Sequence, residues 1–453
     1  MKLLPLLTIY ITLIVINPKN ELWGDEGGYL RFASNLTHGY YSPPDEIDLW
    51  WGPGYPMILA PLVLLKLSWL VIRLLNACLL FFAVVYFHQT LSLYSSSKYL
   101  VHLTYLFGLY PPFLRHVGHI ITETLVIFLI SAMTYHFCKL SQQKQNSRTH
   151  QILAGVFLGY LALTKVFFGY VIAAGLILSV LVFIVFKRSD VVKKAIVTCS
   201  IAFVVCLPYL IYTYSLTGKV FYWGTSGGSQ LYWMSAPFDG ELGDCGPTFS
   251  TRSRWAHYAE ELRGEGAFVD SGGTPELAKN HLSFFDKVSQ LPNIVAKDDA
   301  LKKAAISNIR NHPFKYLKNW FANLGRLLFD YPYSYRVQSL RTYFYLLPNV
   351  FILVFGVVSI YPLWRYRRAI PMEIYLLLAF AAIAIFGTSL VSAMARQFFV
   401  LTPIIDLGIF VALANTRIAP SVVETQGGGR AVLGDRADAS LLVERRQPTS
   451  YDK

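Results

Sequence analysis

Charge is scarce in this sequence. Asp, Glu, Lys and Arg together make up only 15% of the 453 residues, whereas 54% are hydrophobic. That balance excludes a chain built only from ordinary soluble domains, in which about a quarter of the residues are charged. It predicts a protein whose solvent over much of its surface is lipid.

The sequence also lacks the patterns that several other classes require. Of the five Cys, four lie in apolar runs and only Cys245 does not, so they form no disulfide framework. No zinc or haem spacing and no Gly-rich phosphate loop is present. The net charge of +13 comes from cations at the edges of apolar runs, without a basic stripe of interleaved aromatics. We therefore expect no nucleic-acid partner.

Long apolar runs are what the sequence does contain. A helix needs about 20 mostly apolar residues to cross a bilayer core about 30 Å thick. The runs predict about ten spans: 3–16, 69–91, 100–110, 121–140, 152–166, 170–186, 195–214, 344–364, 374–390 and 398–414. Pro18, Lys19 and Asn20 follow the first run where a cleaved signal needs small residues, so we expect an uncleaved anchor. The predicted fold class is an α-helical polytopic membrane protein.

The positions of Lys and Arg set the predicted orientation, because cytoplasmic loops retain positive charge. Alternate short connections carry most of these residues: Lys139, Lys144, Arg148, Lys187, Arg188, Lys193, Lys194, Arg365, Arg367 and Arg368. The opposite short connections hold only Arg115, Lys165 and Arg396. Both ends of the chain are therefore expected inside the cell.

The same orientation defines the expected domains. A transmembrane region over 1–415 includes two long outer loops, 17–52 and 217–340. The second has helical apolar periodicity near its end and is expected to form a small outer domain. The polar, Gly-containing tail 416–453 is expected to be cytoplasmic and disordered, because its composition cannot bury a core.

Two adjacent acids, Asp25 and Glu26, lie just beyond the first span. Asp25 would suit the N-cap of a helix over 29–37, which is the structural interpretation. The functional interpretation is that a carboxylate at the membrane edge acts as a general base. The sequence leaves both open.

Cationic and polar residues gather at the same outer edge: Arg115, His116, His119, Lys165 and Arg396. Each alone is typical of a side chain that anchors a span at the interface. Together they indicate a site for a phosphate beside the membrane. Glu123, in the first turn of a span, is an intramembrane acid and a functional candidate, or else a partner for Arg115 or His119.

A carboxylate beside a phosphate site suits group transfer from a lipid-linked phosphate, and a sugar is such a group. A phosphate leaving group has a last pKa of about 6 and departs without a general acid. One base and several cationic stabilisers are then enough.

At these residues the sequence resembles the GT-C class of multispan glycosyltransferases, in the branch with protein O-mannosyltransferases and bacterial lipid A aminoarabinose transferases. The motifs carrying the resemblance are Gly24-Asp25-Glu26 with Tyr29, Pro53-Gly54-Tyr55-Pro56, Thr122-Glu123, Leu163-Thr164-Lys165, His312-Pro313-Phe314-Lys315-Tyr316, and Arg396 with Leu401-Thr402-Pro403.

The resemblance implies a polyprenyl- or dolichyl-phosphate-linked sugar as donor and an inverting single displacement on the outer face. Asp25 would be the catalytic acid residue with Glu26 beside it, and Lys165 and Arg396 would lie at the lipid phosphate. Relatives often carry another acid in the second outer loop, whereas 114–120 has none, so Glu123 is its nearest substitute.

The resemblance also frames the partners and the setting. The acceptor would be a hydroxyl of a glycan, lipid or protein, and the membrane a bacterial inner membrane with the active site facing the periplasm. No metal ligand cluster is visible in the sequence, so no cofactor is assigned and a requirement for a divalent metal stays open.

Two other functions compete with transfer. A transporter or flippase of an amphipathic anionic lipid would also need cations, but it predicts inverted repeats and broken helices, which the sequence does not show. A noncatalytic assembly subunit with the same fold would be favoured by loss of the acidic pair, which is present.

Overall fold

The computed structural model of the chain describes residues 2–19, 21–43, 46–143, 147–185, 189–244, 275–334 and 340–427. Over these residues the chain is helical and contains no strand. A helix satisfies its own backbone hydrogen bonds, which lipid cannot do. Cys245 and the tail beyond residue 427 lie outside the described residues.

The first half of the chain forms ten helices among the described residues: α1 (Leu4–Ile16), α2 (Glu26–Thr37), α3 (Gly54–Leu64), α4 (Trp69–Ser92), α5 (Leu100–Gly108), α6 (Pro111–His116), α7 (Glu123–Gln142), α8 (Arg148–Thr164), α9 (Phe167–Val185) and α10 (Asp190–Thr217). The second half continues with α11 (Gly227–Met234), α12 (Pro275–Ser289), α13 (Ile294–Asn311), α14 (Pro313–Phe329), a 3₁₀ turn (Leu340–Thr342), α15 (Tyr343–Arg365), α16 (Met372–Ser389), α17 (Ala395–Phe399) and α18 (Thr402–Gly427).

The prediction of a multi-pass α-helical membrane protein is confirmed. Among the described residues, six helices are long and apolar enough to cross a membrane: α4, α7, α9, α10, α15 and α16. Every other predicted run also overlaps a helix, but α5 has only nine residues and extends roughly 14 Å. The total of ten spans therefore stays a prediction. Helix α18 carries the chain to Gly427, so disorder stays a prediction only for the residues beyond it.

The six long helices differ in how far they are enclosed. Helix α7 is mostly buried and packs between α4 and α8, whereas most of α15 is exposed. An apolar helix face with no protein against it is expected to face lipid. The buried α7 brings its first residue, Glu123, to one end of the bundle.

Helices α11 to α13 have an apolar cluster of their own, built around Trp233, Phe285 and Leu301. A polar group lies within it: the imidazole of His281 pairs with the Glu241 carboxylate at 2.9 Å and bonds the Tyr232 hydroxyl at 2.9 Å. Helix α14 is tied to the end of α16, where Trp320 Nε1 donates to Ser389 Oγ at 2.9 Å. The unit of α11 to α14 is thus fixed to the bundle near α17.

Candidate active site

Asp25 lies directly before α2, and its side chain turns away from that helix. Gly24 adopts a left-handed conformation at φ +57°, and Asp25 then occupies the N-cap position without a side-chain capping bond. Its Oδ2 instead accepts a hydrogen bond from Arg396 Nη1 at 2.8 Å. Asp25 therefore stands at the N-cap position that the structural interpretation gave it, but its side chain makes no capping bond there. Both partners remain partly exposed, at 27% for Asp25 and 28% for Arg396.

The Asp25–Arg396 pair continues into a buried pair. Arg396 Nε lies 3.7 Å from Glu123 Oε1, and Lys165 Nζ donates to the same oxygen at 2.9 Å. The Glu123 carboxylate is fully buried. Asp25, Arg396, Glu123 and Lys165 therefore form a row of alternating charge, which we call the charge row. The alternative expectation, that Glu123 pairs with Arg115 or His119, is wrong, because its ion-pair partners are Lys165 and Arg396.

Four distant segments meet in the charge row: the start of α2, the start of α7, the end of α8 and the short helix α17. The segment 17–52 and the start of α3 approach α8 closely because Gly54 has no side chain at the contact. A Cβ on Gly54 would lie 2.4 Å from Thr164 Oγ1, and the Gly54 carbonyl accepts a hydrogen bond from Tyr160 Oη at 2.7 Å. Two of the motifs that carry the sequence resemblance thus contact each other next to Lys165.

Glu26 has surroundings unlike those of its neighbour Asp25. It is fully buried, and its carboxylate accepts backbone N–H bonds from Trp23 and Ile120, both at 2.8 Å. His119 Nδ1 lies 3.1 Å from one oxygen and the Arg73 guanidinium 3.7 Å from the other. Burial alone would raise the pKa of Glu26, but these bonds outweigh it and hold the pKa below its usual value.

These contacts make Glu26 an anchor of the loop between α1 and α3. They join that loop to the segment around Ile120 and to the first turns of α4, where Arg73 also donates to the carbonyl of Lys19. With no exposed surface, the Glu26 carboxylate cannot contact a substrate in this conformation. Its predicted share in catalysis is not supported by this geometry.

The three residues on and just after α6 that were predicted to bind phosphate, Arg115, His116 and His119, have different contacts in the structure. Arg115 Nη1 donates to the Tyr345 hydroxyl at 3.0 Å, and the guanidinium lies over the Tyr345 ring. Within the described residues it pairs with no carboxylate, so its charge is available to a ligand. His119 is occupied by Glu26 on one ring nitrogen and by Lys19 on the other.

His116 does not provide the predicted cation. Its Nδ1 donates to the Pro112 carbonyl at 2.7 Å, and its ring packs 4.9 Å from that of Phe399. Burial lowers the pKa of His116 to about 4, so the imidazole is neutral at neutral pH. With Nδ1 protonated, Nε2 is an acceptor, which does not suit a phosphate oxygen.

Sequence reasoning missed two residues at this site. Tyr345, buried at the start of α15, holds Arg115 and stacks on Phe399; no local pattern links it to residue 115. Arg73 does carry a signal, since an Arg inside an apolar span, here in the second turn of α4, is itself a functional or structural marker. Tyr29, named in a motif, is buried near Asp25 and Glu123, and burial with these carboxylates raises its pKa far above its usual value.

No group of three or more His, Cys, Asp or Glu side chains that could hold a metal ion occurs in the part of the chain that the structure describes.

Solved structures with a similar fold include two oligosaccharyltransferase structures from Archaeoglobus fulgidus. AglB, in complex with an inhibitory peptide and a dolichol-phosphate, has a TM-score of 0.49 and 14% identity over 96% of this chain and 52% of that one. The complex with Zn and sulfate has a TM-score of 0.48 and 15% identity over 93% and 49%. This chain therefore spans about half the length of those chains.

ArnT from Cupriavidus metallidurans bound to undecaprenyl phosphate is also similar, with a TM-score of 0.39 and 14% identity over 93% of this chain and 80% of that one. AglB and ArnT are both GT-C glycosyltransferases, the class that the sequence motifs resemble. No family model matches the sequence, and no curated protein matches it. Each likeness concerns the fold, and the residue roles argued below come from the geometry of this chain.

Proposed function

We propose that the protein is a membrane glycosyltransferase that moves a sugar from a polyprenyl-phosphate donor to an acceptor hydroxyl. The observation that carries the proposal is the charge row at one end of the membrane helices. Its outer member, Asp25, is a partly exposed carboxylate, and Arg396 and Lys165 supply positive charge beside it. Arg115 adds a cation without a carboxylate partner among the described residues.

In the proposed reaction Asp25 acts as the general base. Its carboxylate accepts the proton of the acceptor hydroxyl as that oxygen forms a bond to the anomeric carbon of the sugar. The bond from the anomeric carbon to the phosphate oxygen breaks, and its electron pair stays on the phosphate. Attack from the opposite face inverts the anomeric centre.

The lipid phosphate leaves with one more negative charge than it carried in the donor. Since its last pKa is about 6, it needs no proton from the protein at neutral pH. Arg396, Lys165 and Arg115 would stabilise the charge that develops, and such fixed groups are worth most where water is largely excluded. Glu123 would hold Lys165 and Arg396 in place rather than contact the sugar.

The proposed setting follows from the charge bias of the loops. The charge row would face the outside of the cell, in a bacterial inner membrane with the site towards the periplasm. The donor chain would lie among the apolar helices, and the outer unit of α11 to α14 would position a glycan, lipid or protein acceptor.

The direct test supplies membranes containing the protein with a panel of radiolabelled polyprenyl-phosphate sugars and measures the label that leaves the lipid. We expect release from at least one donor, and none with the Asp25→Asn variant. Release from no donor would contradict the proposal. Movement of an intact labelled lipid across the bilayer would favour the transporter instead.

A further inference from the structure

Arg396 contacts two carboxylates, those of Asp25 and Glu123, and the two ion pairs differ in the free energy needed to break them. Asp25 is partly exposed and Glu123 fully buried. Removing the partner of a buried charge leaves that charge uncompensated, which is strongly destabilising. An exposed ion pair contributes little and can open cheaply. The Asp25–Arg396 contact is therefore the one in the charge row that can break while the rest stays intact.

The same guanidinium is also the cation nearest to Asp25. A guanidinium has five N–H donors in a planar fork, and it binds phosphate in the same bidentate geometry as carboxylate. Its Nη1 already donates to Asp25 at 2.8 Å. A donor phosphate at this point would compete directly with Asp25 for Arg396.

We infer that Arg396 is a latch that holds Asp25 until a lipid phosphate binds. In the substrate-free protein the pair occupies the Asp25 carboxylate. The phosphate then takes the guanidinium, which stays beside Glu123, and Asp25 is left free to accept a proton. The inference rests on the proposed function and adds an order to it: the donor must bind before the acceptor can react.

The latch makes an unusual prediction about affinity. Because Asp25 competes for Arg396, Asp25→Asn should bind undecaprenyl phosphate more tightly than the wild type, by about two- to fivefold in Kd for an exposed pair. Simple repulsion between Asp25 and phosphate would also tighten binding. The two causes separate in the Arg396→Gln background, where the latch predicts that Asp25→Asn no longer changes Kd.

The experiment measures undecaprenyl phosphate binding to the purified full chain in detergent for the wild type, both single variants and the double variant. Asp299→Asn is the matched control, since it removes an acid paired with Lys219 in the outer region and should leave Kd unchanged. Arg396→Lys keeps the charge with a different geometry, and it serves if Arg396→Gln does not fold. A parallel titration with inorganic phosphate shows whether the lipid chain is needed.

Each outcome decides something. Tighter binding by Asp25→Asn that disappears without Arg396 supports the latch. Equal affinity of wild type and Asp25→Asn, or a gain that persists in Arg396→Gln, overturns it while leaving the proposed donor intact. No binding of the lipid phosphate by the wild type overturns both the latch and the proposed donor class.

Discussion

Gly52 and Leu163 are in backbone contact, so close that a Cβ on Gly52 would lie 2.1 Å from the Leu163 carbonyl oxygen. Leu163 is two residues before Lys165. The loop between α1 and α3, which carries Asp25, therefore packs against the backbone that positions Lys165 at the buried end of the charge row.

Gly52→Ala should reduce sugar transfer by displacing this contact, since the neighbour is backbone and cannot move aside. Overpacking of this kind typically costs about 1–3 kcal/mol of stability. Thermal unfolding and transfer rate of the purified protein measure the two effects. Gly356→Ala, on α15, is the control because nothing lies within 4 Å of its Cβ. Normal transfer by Gly52→Ala would show that this seating does not set the site.

The orientation can be checked with single Cys residues in a background free of native Cys. His38 is expected outside and Thr149 inside, and both are exposed and so accessible to a reagent. His38→Cys should react with a membrane-impermeant thiol reagent in intact cells, and Thr149→Cys should react only after the membrane is opened. The reverse pattern would place the charge row on the cytoplasmic side and remove the case for lipid-linked donors.

The sequence could predict the helices because the length of an apolar run is a local signal, and each predicted run overlaps an observed helix. It could also predict that Asp25, Lys165 and Arg396 lie close together, since each lies at or a few residues beyond the end of an apolar run. It could not show which charges pair. Arg396 and Asp25 are 371 positions apart, and only the packing of the bundle brings them together.

The same limit applies to residues that are neighbours in sequence but have different surroundings in the fold. Arg115 and His116 are neighbours in sequence, yet the His116 ring is buried against Phe399 whereas the Arg115 guanidinium bonds the Tyr345 hydroxyl. Asp25 and Glu26 are also adjacent. Because Gly24 is left-handed and a helix begins at Glu26, the Asp25 side chain is partly exposed and the Glu26 side chain is buried. Burial of individual side chains depends on tertiary contacts that no short motif encodes.

Lys165 should have both a structural and a functional effect, which a paired variant can separate. Lys165→Ala leaves the buried Glu123 carboxylate with the 3.7 Å ion pair to Arg396 and a 3.5 Å hydrogen bond from the Thr122 hydroxyl. Breaking a buried pair costs about 3–5 kcal/mol. The Lys165→Met/Glu123→Gln variant removes both charges and should recover most of the stability. If Lys165 also holds the lipid phosphate, donor binding will stay weak in that variant. Full recovery of donor binding would limit Lys165 to a structural role.

His116 should make stability depend on pH in a defined window. The pKa of His116 is lowered from 6.5 to about 4 in the folded protein. Between pH 4 and pH 6.5 the imidazole is therefore protonated in the unfolded chain and neutral in the folded protein. Stability is then fully present above pH 6.5 and is lost as the pH falls towards 4. The unfolding temperature of His116→Asn should therefore fall less than that of the wild type from pH 7 to about 4.5. Parallel pH curves would contradict the buried, neutral imidazole.

The two adjacent acids give the sharpest contrast. Asp25→Asn keeps the size of the side chain and one acceptor for Arg396 but cannot take a proton at neutral pH. Losing general-base assistance typically lowers the rate by about 100- to 10,000-fold, so transfer should be abolished while the protein still folds and binds lipid phosphate.

Glu26→Gln should show the opposite pattern, because Glu26 is buried among Trp23, Ile120, His119 and Arg73. Gln retains one acceptor oxygen but loses the charge opposite Arg73, so the unfolding temperature should drop. Transfer per folded molecule should stay close to normal, since the carboxylate has no exposed surface. Measuring both quantities for both variants decides the assignment. If Asp25→Asn keeps more than about a tenth of the normal rate, the base lies elsewhere; if Glu26→Gln loses transfer without losing stability, Glu26 shares the chemistry.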